Sequence, residues 1–172
     1  ILVDADSTQD VTTTASVVAI TAAIGVAGAG GDAGTLVQGS VEAFARNSTL
    51  NAGSQAVIID ADSTHDSLTQ AIGGAGAVGA AVAAMIATAE MDGATRAYAD
   101  GTLTVSAGTF SVTANSTVTA DPFAQSVAIG FVGGGAGLNV EASIGRITEA
   151  YVGTRSGVTP TTQTTVDVVG GP

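Results

Sequence analysis

One hexapeptide, Ile59-Asp60-Ala61-Asp62-Ser63-Thr64, limits what this chain can fold into, because it recurs. Val3-Asp4-Ala5-Asp6-Ser7-Thr8 precedes it by 56 residues, and Val112-Thr113-Ala114-Asn115-Ser116-Thr117 follows it by 53. Val166-Asp167-Val168 reads as the opening of a further copy. A second landmark keeps the same beat: Glu42-Ala43-Phe44, Arg96-Ala97-Tyr98 and Glu149-Ala150-Tyr151, with aromatics 54 and 53 residues apart. The distance from each aromatic to the next motif is 15 or 16 residues, so two independent landmarks hold register. The chain reads as a repeat protein of about three units, and that outranks any local motif. Residues 1–172 form a single array, with approximate units 3–58, 59–111 and 112–165 and the start of a further unit at 166–172.

Each unit passes through the same textures. A short alternating run comes first: Val3 and Ala5, then Ile59 and Ala61, then Phe110, Val112 and Ala114, with Asp4, Asp6, Asp60, Asp62, Thr113 and Asn115 on the opposite face. Period-two alternation with β-branched residues predicts half-buried strands. A Gly/Ala/Val stretch follows (17–31, 71–89, 127–140), then the aromatic landmark. A last run alternates Leu103, Val105 and Ala107 with Thr102, Thr104 and Ser106.

The stretch 71–89 carries no charge over 19 residues, which raises a transmembrane helix as a rival. Only Ile72, Val78, Val82 and Ile86 are strongly apolar there, worth roughly −2 kcal/mol together on an insertion scale. Gly73, Gly74, Gly76 and Gly79 each weaken a helix by roughly 1 kcal/mol relative to alanine. The equivalent stretches contain Thr21, Asp32, Asn139 and Glu141 at or beside their apolar runs, and Leu138, Val140, Ala142 and Ile144 alternate with polar neighbours. The expectation is therefore no membrane span. The fold class expected is all-β: a parallel β-solenoid (β-helix) built from about three repeats of 53–56 residues. Stacking lays inward positions of one unit over those of the next, about 4.8 Å apart. One wide coil per repeat and two narrow ones both fit the period.

Composition bears on partners. With 15 acidic residues against four arginines and no lysine, the net charge is −11. Such a surface repels phosphate backbones, so nucleic acid is not an expected partner. It suits a saline or divalent-rich medium that screens self-repulsion. Without cysteine there is neither a disulfide framework nor a thiolate metal site. The chain reads as a segment of a longer polypeptide.

The alternating V-x-A-D/N-S-T runs, the Gly/Ala/Val-rich strands and Thr148-Glu149-Ala150-Tyr151-Val152-Gly153 together resemble the repeats of giant filamentous-haemagglutinin-like adhesins, which are exported by two-partner secretion or as autotransporter passengers. The resemblance covers nearly the whole chain and is one of texture. It implies a right-handed parallel β-helix, an extracellular, cell-surface stalk or fibre, and no catalytic site. The partners implied are neighbouring repeats or copies of the chain end to end, and host or cell-surface glycans or proteins. A self-assembling subunit of an extracellular filament is the alternative, and a calcium- or glycan-binding module a third.

Candidate sites follow from the repeat. Asp4, Asp60 and Asp167 fall at equivalent positions, as do Asp6, Asp62 and Asn115. Stacked carboxylates would repel by about 1 kcal/mol per pair in water. Calcium bridging at Asp4, Asp6, Asp60 and Asp62 would relieve that; a solvated acidic face is the plainer reading. No other cofactor is expected. Gly30-Gly31-Asp32-Ala33-Gly34 lacks the spacing of toxin-type calcium rolls. Gly74-Ala75-Gly76-Ala77-Val78-Gly79 satisfies G-x-G-x-x-G, but a dinucleotide site needs a helix after it. The sole histidine, His65, is expected to be exposed and idle, since its equivalents are Gln9 and Val118. Phe44, Tyr98 and Tyr151 are expected to form a structural ladder rather than a binding stripe. Ser7-Thr8, Ser63-Thr64 and Ser116-Thr117 make a hydroxyl column, and Asn47 and Asn115 open glycosylation sequons.

Overall fold

The structure, a computed structural model, describes residues 1–22, 24–155 and 165–168. Every regular element among these residues is a strand, and four strands make one turn of a wide coil. The first coil contains β1 (Leu2–Thr21), β2 (Val26–Val37), β3 (Ser40–Arg46) and β4 (Thr49–Asn51). The second contains β5 (Ala56–Ala77), β6 (Ala80–Met91), β7 (Ala94–Asp100) and β8 (Thr102–Ser106). The third contains β9 (Thr109–Gly130), β10 (Gly133–Ile144), β11 (Ile147–Val152) and β12 (Thr165–Val168).

Each strand pairs in parallel with its counterpart one coil away, giving four three-stranded sheets: β1-β5-β9, β2-β6-β10, β3-β7-β11 and β4-β8-β12. The protein is a parallel β-solenoid of three coils, and one repeat is one coil. The first sheet is unusually long: a strand of 20 to 22 residues at about 3.3 Å each spans roughly 70 Å. The second and third sheets pack back across it. The corners absorb differences in repeat length. Four residues, 52–55, link β4 to β5, while only 107–108 link β8 to β9. Together with smaller differences at the other corners, this makes Asp4 pair with Asp60 at a spacing of 56 and Asp60 with Thr113 at 53.

Alternation decides which side chains point inward. The column Val3–Ile59–Val112 and the column Ala5–Ala61–Ala114 face the interior, and the aspartates between them face out. Two apolar cores result. One gathers Val57, Ile59 and Ala61 with Ala97, Ala99, Leu103 and Val105. The other is almost all alanine around Met85, with Ala71, Ala75, Ala83 and Ala87. Small residues let the opposed sheets close tightly, and Met85 fills space left by Gly31 and Gly73: a Cβ on Gly73 would meet Met85 Sδ at 2.8 Å and the Val17 carbonyl at 2.6 Å. At the corner after β6, Gly93 adopts φ 121 and lies against the backbone of Gly39 in the coil below, so both geometry and space require glycine there.

A band of hydroxyls separates the two cores. Ser63 Oγ lies 2.7 Å from Thr95 Oγ1 and 2.8 Å from Ser116 Oγ. Thr69 Oγ1 donates to Thr35 Oγ1 at 2.8 Å, and Thr35 Oγ1 to Thr13 Oγ1 at 2.7 Å. Ser63–Thr95 and Thr35–Thr13 cross the interior within one coil, while Ser63–Ser116 and Thr69–Thr35 link successive coils.

Three expectations need correction. Val166-Asp167-Val168 does not begin another copy of the hexapeptide. It belongs to β12, where Asp167 pairs with Thr104 in the fourth sheet, not with Asp60. More residues separate β11 from β12 than β7 from β8, so a count of 16 from Tyr151 stops in the fourth sheet instead of reaching the first. The hydroxyl column is two columns: Ser7–Ser63–Ser116 lines the interior and Thr8–Thr64–Thr117 the exterior. His65, expected on the surface, is buried at 1 % exposure because it shares the parity of Ile59 and Ala61. The 71–89 stretch forms the end of β5 and most of β6. Among the described residues no helix is long and apolar enough to cross a membrane.

Candidate functional site

Two outward-facing regions and one internal polar group hold the chemistry-bearing side chains. On the long sheet, Asp4 lies beside Asp60 and Asp6 beside Asp62, as the repeat predicts, with Asp10 beside Asp66 further along. The third coil continues these rows with Thr113, Asn115 and Thr119. A shallow groove of about 210 Å³ runs between Asp6, Thr8, Asp62 and Thr64. Asn115 Nδ2 donates to Asp62 Oδ1 at 2.9 Å, which answers part of that carboxylate's charge. Asp60 has only the Ala61 backbone N–H to help it. Its Oδ1 is buried without a partner, and its pKa is raised by burial and then by the charges of Asp62, Asp4 and Asp6. The acids stand in pairs, and no three carboxylate or imidazole groups among the described residues gather into a metal site.

The second region is the outer face of the third sheet. Phe44, Tyr98 and Tyr151 stack directly over one another, with ring centroids 5.1 Å apart at each step and interplanar angles of 8° and 2°. The in-register pairing of β3, β7 and β11 produces this spacing, since 4.8 Å between strands is close to the thickness of stacked rings. Beside the ladder runs a charge column of alternating sign. Arg96 reaches Glu42 at 2.9 Å on one side and Glu149 at 3.0 Å on the other, and Arg155 lies 2.7 Å from Glu149. Burial would lift the Glu149 pKa, but the hydrogen bonds from Arg96 and Arg155 more than offset it and hold the carboxyl below its usual value. Arg46 completes the face, its guanidinium 5.7 Å from the Phe44 ring and 5.6 Å from the Tyr98 ring, with Asp100 Oδ2 at 3.3 Å. Tyr98 is nearly buried, while Phe44 is 47 % exposed. The expected structural ladder is present, and its interactions are satisfied within the protein.

The internal group is His65. Burial, then the Arg146 charge, lowers its pKa against an opposing contribution from Asp66. Neither ring nitrogen has a protein partner. The serines nearest in sequence, Ser63 and Ser67, bond to Thr95, Ser116 and Thr69, and no hydrogen bond joins either to the imidazole. A nucleophile–base pair is not assembled there.

The protein matches no family model, no curated protein and no solved structure.

Geometry alone therefore assigns roles. Gly74 and Gly76 lie within β5 and Gly79 at the corner before β6, so the G-x-G-x-x-G run opens a strand and offers a pyrophosphate no helix N-terminus. Of the sequon asparagines, Asn115 spends its amide nitrogen on Asp62. Asn47 adopts φ 48 and accepts from Thr102 N–H at 3.1 Å, shaping a corner. Sequence reasoning missed the charge column and the internal hydroxyl band. Both were written in the spacing: Glu42, Arg96 and Glu149 sit two residues before each landmark aromatic, and Ser63, Ser67 and Thr69 share the parity of Ile59.

Proposed function

We propose that this chain is a non-catalytic structural and adhesive segment of a long, secreted β-solenoid displayed on a cell surface, where it acts as stalk or fibre. The observation that carries this reading is that the inward columns run out to both ends of the array. Val3 and Ala5 at one end, and Phe110 and Val112 at the other, pack on the core and are only partly covered. Leu138, Val140 and Ile144, in register with Met85, Ala87 and Met91, are about half exposed. A further coil laid on either face would bury these residues and pair the free strand edges. The acidic, lysine-free exterior and the adhesin-like texture of the repeats support an extracellular setting.

The same ends favour one alternative, a self-assembling filament subunit, in which the covering coil comes from a second copy. A duplicated middle coil (residues 56–108 repeated in tandem) tests the stalk. Each added coil should raise resistance to urea, because it adds one interface per unit. A chain no more stable with four coils than with three would refute it. Electron microscopy of the unmodified chain tests the alternative: rods lengthening with concentration would place it ahead of the stalk. Glycans or proteins on host or cell surfaces are the proposed adhesive partners, and the exposed Phe44 edge of the aromatic face is the surface offered to them.

A further inference from the structure

The outside of the solenoid divides by charge. Residues 11–31, 67–89 and 122–140 contain no charged side chain, and they meet at one edge of the coil, where the long sheet turns into the second. The corners of successive coils stack there: Ala80 N–H donates to the Gly25 carbonyl and Val132 N–H to the Gly79 carbonyl, each at 3.1 Å. What this edge presents is large and apolar. Val18 and Ile20 of β1, Ile129 of β9 and the corner residues Ile24, Val78 and Phe131 stand outside the interior, 48–93 % exposed. They form a ridge along the solenoid axis to which every coil contributes. Gly76 lies in register between Ile20 and Ile129, and a Cβ there would meet nothing within 4 Å. No contact among the described residues requires glycine at that position, and glycine inside a strand often marks close approach of another backbone.

The six side chains bare on the order of 900 Å² of apolar surface, more than the roughly 300–600 Å² patch of a typical monomer. Each partner in a stable complex contributes about 800 Å². We propose that this ridge is a lateral docking surface for a second copy of the chain, paired edge to edge across a two-fold axis at Val78. The two-fold sets Val78 against Val78 and the first-coil Ile24 of each copy against the third-coil Phe131 of the other. Charge selects this occupant. In the middle coil the nearest charged residues, Asp66 and Glu90, each lie roughly 40 Å of extended chain from Val78. The acidic rows of paired copies therefore point apart, well beyond the screening length of about 8 Å at physiological salt. A lipid surface fits worse. Faces that lie on membranes carry Lys or Arg beside their apolar side chains, and none of the four arginines falls in these segments. Anionic headgroups also repel a chain of net charge −11. This contact joins solenoids side by side, so it is separate from any stacking of coils at the two ends.

The test uses the intact chain, which has no cysteine. Sedimentation equilibrium should show the wild type passing from monomer to dimer with concentration. Ile20→Glu, an outward substitution on β1, should raise the dimer dissociation constant about tenfold or more, because it buries a charge in the contact. Val78→Cys should form a disulfide-linked dimer on oxidation. Thr64→Cys, exposed on the acidic half of the same coil, should stay monomeric. Stacking at the ends keeps the middle coils of two copies apart, so it cannot produce the Val78→Cys link. The proposal is overturned if the wild type remains monomeric, if Val78→Cys links no faster than Thr64→Cys, or if Ile20→Glu dimerises as the wild type does. It is overturned in favour of lipid if the wild type floats with vesicles of phosphatidylcholine and phosphatidylglycerol. Should Ile20→Glu fail to fold, the wild-type and cysteine measurements decide the matter.

Discussion

Ile58 and Ile59 are adjacent, identical in chemistry, and placed by alternation on opposite sides of one strand. Ile59 is fully buried and belongs to the wider core, whereas Ile58 faces out at 37 % exposure. Replacing Ile59 with alanine deletes three carbons, a transfer loss of about 2.4 kcal/mol at about 0.8 kcal/mol per buried CH₂. The residual cavity adds to this, because the flanking Val3 and Val112 are held by their own strands. The expected cost for Ile59→Ala is therefore about 3–4 kcal/mol, a large share of the roughly 5–15 kcal/mol that domains possess. Ile58→Ala should cost less than about 1 kcal/mol. Equilibrium urea unfolding measures both, through a shift in midpoint at unchanged slope. Equal midpoint shifts, or a larger one for Ile58→Ala, would mean the faces are assigned backwards.

Three further perturbations probe the other elements. Asp60→Asn removes a carboxylate whose pKa the fold raises, so its penalty is absent below the unfolded value of 3.8 and appears as pH rises through the folded pKa. The variant should gain up to about 1 kcal/mol at pH 7 in low salt and nothing near pH 3, and denaturation at the two pH values checks the sign. Tyr98→Ala, which takes out the middle ring of the stack, should cost about 3 kcal/mol against less than about 1 for Tyr98→Phe. A Tyr98→Ala melting curve unchanged from wild type would dismiss the ladder as ornament. Gly73→Ala should lose about 1–3 kcal/mol by driving a methyl into the Val17 carbonyl. Gly76→Ala, with nothing within 4 Å of its Cβ, should be neutral or gain about 0.5–1 kcal/mol, and thermal melts distinguish the two.

The repeat made most of the architecture legible. Two landmarks in constant register fixed parallel stacking, the aromatic ladder and the pairing of Asp4 with Asp60 and Asp6 with Asp62, because a translation carries every residue along with it. What failed was reasoning one residue at a time. The equivalents Gln9 and Val118 suggest a surface place for His65, although six residues of alternation from Ile59 put it inside. Asp167 was matched to Asp60 by counting from Tyr151, which assumed that corners never change length. The choice between one wide coil and two narrow ones was not in the period itself. It depended on a strand of 22 residues running unbroken through Gly73-Gly74, where local glycine content argues for a bend and the flanking coils hold the chain extended.

The division of the interior carries a consequence for assembly. In an ordinary globule a buried hydroxyl finds its partner wherever the fold bends back, but in a stacked coil partners are also offered along the axis, one coil away. Ser63 is satisfied by Thr95 within its own coil and by Ser116 in the next. Thr69 reaches Thr35 of the coil before, and Thr35 reaches Thr13. In the middle coil Ser63 is thereby answered from the coil after and Thr69 from the coil before, whereas Ser7 and Ser116 have a neighbour of their column on one side only. Apolar columns would accept any greasy surface at the ends. A hydroxyl band accepts only one that presents hydroxyls at the same lateral positions, and a slip of one residue would set Thr8 or Thr117 in their place and the acidic rows in the core. The band thus trades some burial energy for register, and it makes another coil of the same repeat the best-fitting cover for either end.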